Sequence, residues 1–180
     1  MIKICKYGDP VLRANAVPVP GIDARLRKLA DDMIELMLKH KGVGLAAQQV
    51  GETIRIFVMY VPPQYDLEGP DGKRLNPGID EPLVMINPVI LGKKGKQTDN
   101  EGCLSIPEIF APVYRAYEVS VSFTDIHGGQ QRLDLKGLMA RTIQHENDHL
   151  DGILFVDRLS PLKKISVSLK LKQLKRAAEE

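Results

Sequence analysis

The pentad His145-Glu146-Asn147-Asp148-His149, an H-E-x-x-H, limits what this chain can become more than any other stretch of it. Upstream, Leu138, Met139 and Ile143 recur at helical spacing, and downstream Gly152 supplies a residue tolerant of the positive φ with which a helix commonly ends. The pentad is therefore expected in the last turns of a helix. Residues four apart on a helix stand one above the other, so His145 and His149 can converge on one metal ion while Glu146 reaches water beside it. That is the constellation of a hydrolase.

Two imidazoles do not complete a tetrahedral site. Metalloproteases of the metzincin type continue the pattern to a glycine and a third histidine; this chain follows as far as Gly152 and then places Phe155 where that histidine belongs. Peptidases of the thermolysin type take a glutamate from a later helix, but after His149 the only glutamates are Glu179 and Glu180, at an end prone to fray. Upstream, Cys103 in Glu101-Gly102-Cys103-Leu104-Ser105 is the best remaining soft ligand. Cys103, His145 and His149 would leave a fourth position for water, as catalytic sites do and structural ones do not. Imidazole and thiolate suit zinc and ferrous iron alike. A metallopeptidase with the same pentad is the alternative reading, and a binding module in which the pentad is structural is a third.

The composition is that of an ordinary globular chain, with 180 residues, 43% hydrophobic and 27% charged, enough to bury a core within one domain spanning 1–180. No run of about 18 apolar residues offers a membrane span, and the opening Met1-Ile2-Lys3-Ile4-Cys5-Lys6 lacks the apolar stretch of a secretion signal, so a cytoplasmic location is expected. A reducing compartment disfavours pairing of the two cysteines; Cys5 is expected as a small core residue. A net charge of +2 does not by itself argue for nucleic acid.

Three stretches taken together, Gly42-Val43-Gly44-Leu45-Ala46-Ala47-Gln48-Gln49, Glu101-Gly102-Cys103-Leu104-Ser105 and Gln144 with the pentad, resemble in order and without departure the three signature motifs of the peptide deformylases of bacterial type. The resemblance extends to Lys6-Tyr7-Gly8-Asp9-Pro10-Val11-Leu12-Arg13 and to Leu159-Ser160-Pro161-Leu162. It implies hydrolysis of the formyl group from N-formylmethionyl peptides, with release of formate. It also implies Fe(II) in the cell, replaceable by Zn, Ni or Co, on Cys103, His145 and His149. Glu146 would act as base and then acid. The side-chain amide of Gln49 and the backbone N–H of Leu104 would meet the oxyanion; Gln49 as a mere strand cap is the weaker alternative, given its place in the motif. Val43, Gly44 and Leu138 would line the methionine pocket, or simply pack in the core. Glu101 would either receive a ligand histidine's second N–H or pair with Arg115. Phe110 falls where some relatives carry arginine. The expected fold is α+β, mostly antiparallel β-sheets packed around a central helix bearing the pentad, with one helix near each end of the chain.

The remaining chain supplies those elements. An extended Pro-rich arm over Tyr7 to Gly21 precedes a helix capped by Asp23 and running to about His40, which is expected to favour the helix dipole rather than a metal. Glycines at Gly42 and Gly44 would let backbone pass close to a metal or peptide. Ile54 to Val61 and Leu83 to Leu91 read as strands, separated by 62–82, a Pro-, Gly- and Asp-rich insertion with a turn at Gly69-Pro70-Asp71-Gly72. That insertion is either an idle surface loop or, if it folds toward the cleft, a filter on incoming peptides. Alternation around Val119, Val121 and Phe123, then Leu133 and Leu135, predicts a hairpin turning at Asp125 to Gly129, with His127 exposed. Ser160-Pro161 starts a helix over 160–180, although Ile165, Val167, Leu169 and Leu171 also alternate as a strand would; the resemblance favours helix. Its Lys163, Lys164, Lys170, Lys172, Lys175 and Arg176 form either a solvated face or a dock for ribosomal RNA.

Overall fold

The computed structural model describes residues 2–69 and 71–179. Met1, Pro70 and Glu180 lie outside the described residues, and with them parts of the expected opening segment, the Gly69-Pro70-Asp71-Gly72 turn and the terminal glutamate pair. Helix α1 spans Ala24–Lys39, α2 Gly137–Leu150 and α3 Pro161–Glu179. The strands are β1 (Gly44–Ala46), β2 (Ile56–Met59), β3 (Leu67–Glu68), β4 (Lys73–Arg74), β5 (Leu83–Lys94), β6 (Gln97–Cys103), β7 (Ile106–Arg115), β8 (Glu118–Thr124) and β9 (Gln130–Lys136). They pair antiparallel throughout, as a five-stranded sheet β1-β2-β5-β8-β9 and two hairpins, β3-β4 and β6-β7. The fold is thus a mixture of three helices and antiparallel sheet.

Strand β2 shows how the layers form. Its four residues are all buried, because successive side chains leave opposite faces of a sheet that is covered on both sides. Ile56 and Val58 join the cluster of Leu26, Ala30, Met33 and Met37 on α1, where Asp23 caps the helix by accepting from the Leu26 N–H at 2.7 Å. Phe57 and Met59 pack on the other face with Met139, Ala140, Ile143 and Leu150 of α2. A third cluster joins β7 to the tail, with Val167, Leu171 and Leu174 of α3 packed against Ile109, Val113 and Phe155. Spacings of four and three show that the tail's inward face follows the helical period, which resolves the ambiguous alternation in favour of helix; Leu162, Ile165 and Leu169 stay exposed.

Stretch 62–82 is more built than its composition suggests. Asp66, fully buried, accepts from Arg74 Nε at 3.0 Å and from the Asn76 backbone N–H at 2.9 Å. Asn76 in turn pairs with the backbone of Lys136, receiving its N–H at 2.8 Å and donating to its carbonyl at 3.2 Å. The segment is therefore docked on the entrance to α2.

Candidate metal centre

Helix α2 is unusual in what it buries. Every one of its residues except Leu138 and Asn147 is buried, including Arg141, Thr142, Gln144, His145, Glu146, Asp148 and His149. Polar and charged groups are expensive to bury unless each finds a partner or a task. Most find partners.

His145 and His149, one turn apart, hold their rings 5.0 Å from each other at 70°. Cys103, at the end of β6, brings its Sγ to 3.3 Å from His149 Nε2. One donor atom from each of Cys103, His145 and His149 lies within 4.8 Å of the others, so a single ion can touch all three. Glu101 fixes the orientation of His145: its Oε2 accepts from Nδ1 at 3.0 Å, which leaves Nε2 as the ring nitrogen available to an ion. The donor set, one thiol and two imidazoles, suits a transition metal. Phe155, which stands in place of a further histidine, stacks on His145 with ring centres 6.2 Å apart.

The two alternatives for Glu101 turn out to be a single arrangement. Besides His145 it accepts from Arg115 Nε and Nη2, each at 2.9 Å, and from Arg141 Nη1 at 2.7 Å. Arg115 extends the chain to Asp148 at 2.5 Å, and Arg158 closes on Asp148 at 2.6 and 3.0 Å. Burial works to raise the Glu101 pKa, but the Arg115 guanidinium and His145 outweigh it and hold the carboxyl well below the usual carboxylate range. Arg141, Asp148 and Arg158 escaped the sequence reading. The available signals were Arg141 one turn before His145 on the same helix face, and a carboxylate inside the pentad itself.

Glu146 has no such support. It is buried with Oε2 unpartnered, and burial pushes its pKa up to about 7, a value suited to passing protons near neutrality. Burial likewise disfavours charge on the imidazoles. At His145 the Cys103 thiol and Glu101 overcome that effect and raise the pKa, whereas at His149 burial is reinforced by His145 and lowers it.

Gln49 splits its two ends. Its Oε1 accepts from the Ala46 N–H at 2.8 Å, the capping role, while Nε2 reaches Cys103 Sγ and Ser105 Oγ, both at 3.3 Å. Gln48, unremarked in the sequence, donates to the His149 carbonyl at 2.7 Å. Gln144 clamps the backbone of Ala116 through both its ends. Leu104 lies beside the site, its carbonyl accepting from Lys6 Nζ at 2.9 Å.

A cavity of about 480 Å³ opens onto these groups, and Val43, Gly44, Leu104 and Leu138 line it together with Glu146 and Phe110. No residue of 62–82 appears in its lining, so among the described residues the loop does not shape the cleft directly. Cys5 is partly buried against the third core cluster. His40 caps the end of α1 and reaches the cavity rim, while His127 is exposed in its turn. No described helix is long and apolar enough to cross a membrane.

Comparison with known proteins agrees with this geometry. Residues 1–165 match the family model for polypeptide deformylase. A peptide deformylase of Nitrosococcus oceani is 41% identical over 176 residues, covering 98% of this chain and 97% of its own. One of Acidobacterium capsulatum is 43% identical over 176 residues, covering 98% and 96%. Among solved structures, the peptide deformylase of Thermus thermophilus superposes with a TM-score of 0.84 at 38% identity, covering 99% of each chain.

Proposed function

From the premise that the chain belongs to the polypeptide deformylase family, and so removes the N-formyl group of nascent polypeptides as a metal-binding hydrolase, we propose the residues and cofactor that carry out this chemistry. The supporting observation is the convergence of Cys103, His145 and His149 within 4.8 Å beside a buried carboxylate with a free oxygen. These three side chains would hold a divalent cation, through Sγ and the two Nε2 atoms. When bound, such a cation polarises the formyl carbonyl and lowers the pKa of water at its open position.

The chain's own groups carry the steps. Glu146, with its pKa near 7, takes a proton from the attacking water and returns it to the departing amine of methionine, leaving formate. Charge developing on the formyl oxygen is met by Gln49 Nε2 and the Leu104 backbone N–H. Val43, Gly44 and Leu138 receive the methionine side chain. Glu101, braced by Arg115 and Arg141, keeps His145 in the tautomer that can bind metal. In this reading α2 is the centre of one catalytic domain over 1–180, working in the cytoplasm, with 62–82 as a docked insertion.

Fe(II) is the resident ion in this reading, with Zn, Ni and Co as possible replacements. Iron beside a thiolate should lose activity in air as Cys103 and the metal oxidise, while nickel should preserve it. The six basic residues of α3 would dock the enzyme on ribosomal RNA, an association that should weaken with salt and vanish on truncation after Ser160. A metallopeptidase is not favoured, since Phe155 packs on His145 in place of a further ligand.

The deciding experiment incubates the anaerobically purified, metal-analysed protein with formyl-Met-Ala-Ser and with the unformylated peptide. Formate from the first and no cleavage of the second is expected; peptide-bond cleavage, or no reaction with either, would overturn the reading.

A further inference from the structure

Phe110 differs from the other phenylalanines of the chain. Phe57, Phe123 and Phe155 are 0%, 4% and 1% exposed, whereas Phe110, on β7, is 70% exposed. A lone exposed aromatic is ordinary in itself. Two observations set this one apart. It lines the mouth of the cavity that also contains Cys103, His145 and Glu146. Its ring also lies directly on Gly102, the neighbour of Cys103: a β-carbon there would fall 2.6 Å from ring Cδ1 and 3.3 Å from Cζ. Any side chain at Gly102 would push the ring from its place against the hairpin.

The charged groups of the same rim, Lys6, Lys41 and Glu108, are exposed and of both signs, and His40 is exposed beside them. Charge of mixed sign in water discriminates weakly. Among the described residues lining the cavity, the Phe110 ring is the most exposed large apolar side chain. A peptide whose formyl group lies at Cys103, His145 and His149 and whose methionine enters among Val43, Gly44 and Leu138 advances about 3.3 Å per extended residue, so its next residues leave past the cavity mouth.

We propose that Phe110 is a specificity-determining residue, an apolar platform for the side chain of one of the two residues that follow formylmethionine. The chain accordingly prefers phenylalanine or leucine there over alanine or lysine. This deepens the deformylase reading and rests on it.

The test measures kcat/KM for formate release from formyl-Met-X-Ser and formyl-Met-Ala-X, with X as Ala, Leu, Phe or Lys. Wild type, Phe110→Ala and Phe110→Leu are compared. An apolar contact of this size is worth roughly tenfold in discrimination, so wild type should favour Phe over Ala by about that factor at one position. The ratio should fall below about threefold in Phe110→Ala and lie between the two in Phe110→Leu. Because a ratio of substrates cancels differences in the active fraction, poorly folded variants still report, and Phe110→Leu retains apolar bulk if Phe110→Ala does not fold. A flat profile in wild type, or an undiminished preference in the variants, overturns the proposal. Formate release from formyl-Met-Ala-Ser by wild type is read separately: its absence sinks the deformylase reading, whereas its presence with a flat profile sinks only the role of Phe110.

Discussion

Gly44 and Glu146 are in contact so close that no side chain fits between them: a β-carbon on Gly44 would lie 2.7 Å from both Cγ and Cδ of Glu146 and closer still to Oε1. Strand β1 thus forms the wall against which the unpartnered carboxylate is set. Gly44→Ala should displace Glu146 by roughly an ångström, and misplacement on that scale costs about 100-fold in turnover. Metal per chain should be unchanged, because the atoms a β-carbon at Gly44 meets first all belong to Glu146 and none to Cys103, His145 or His149. A kcat for Gly44→Ala equal to wild type would show that Glu146 is not positioned by this contact.

Glu146→Gln should lower kcat by about 100-fold to 10,000-fold, the range for loss of a general acid and base, while metal stays bound. The glutamine keeps the volume and removes the proton shuttle. Formate release alongside metal analysis distinguishes this from simple loss of the ion.

Glu101→Gln leaves acceptor capacity on the side chain but deletes the charge that Arg115, Arg141 and His145 share. Such a partner of a ligand typically carries a 10-fold to 100-fold effect on metal affinity, readable by competition with a chelator. Acid behaviour should change as well. A carboxylate with a depressed pKa in the folded state contributes stability that is fully present above its unfolded value near 4.3 and is lost as pH falls through the depressed one. Wild type should therefore exceed Glu101→Gln in Tm at pH 6, and the gap should narrow below pH 4. A gap that widens in acid would contradict the sign.

What was legible in the sequence was local. Asp23 announced α1, the spacing of His145 and His149 with Gly152 placed the pentad near the end of α2, and alternation about Val119 and Leu133 gave the hairpin. What was not legible depends on partners distant in sequence. Asp148 reads as an ordinary helix carboxylate until the β6-β7 hairpin brings Arg115 to it, and only then does it become the link between Arg158 and Glu101. Asp66 sits among prolines and glycines that suggest an exposed loop, and its burial follows from Asn76 finding the backbone of Lys136. In α3, the residues fitting a strand and those fitting a helix overlap at Val167 and Leu171; packing of Leu174 beside them settles the period.

Gln49 offers a cleaner separation of roles. Gln49→Ala removes both the Ala46 cap and the donor near Cys103, so it should lose stability of about 1 kcal/mol and about 100-fold to 1,000-fold in kcat. Gln49→Glu keeps an acceptor for the Ala46 N–H and loses the donor. It should regain most of the Tm and none of the turnover; recovery of turnover would remove Gln49 from the oxyanion site.

Asp66 tests whether 62–82 is held by this buried carboxylate or merely lies on the surface. Asp66→Ala leaves Arg74 Nε and both the backbone and side-chain amides of Asn76 without their shared acceptor, although Arg74 keeps Asp80. Those bonds are concentrated within 66–80 and reach the rest of the fold through Asn76 and Lys136, so the loss should appear first as local opening. Limited proteolysis should cut Asp66→Ala between 62 and 82 well before wild type, leaving the pieces flanking the cut resistant. Because none of these residues lines the cavity, kcat/KM on formyl-Met-Ala-Ser should change less than threefold as long as the loop opens without dragging Lys136 and the start of α2. A large fall in activity with no gain in protease sensitivity would mean instead that Asn76 transmits its position into the cleft through α2.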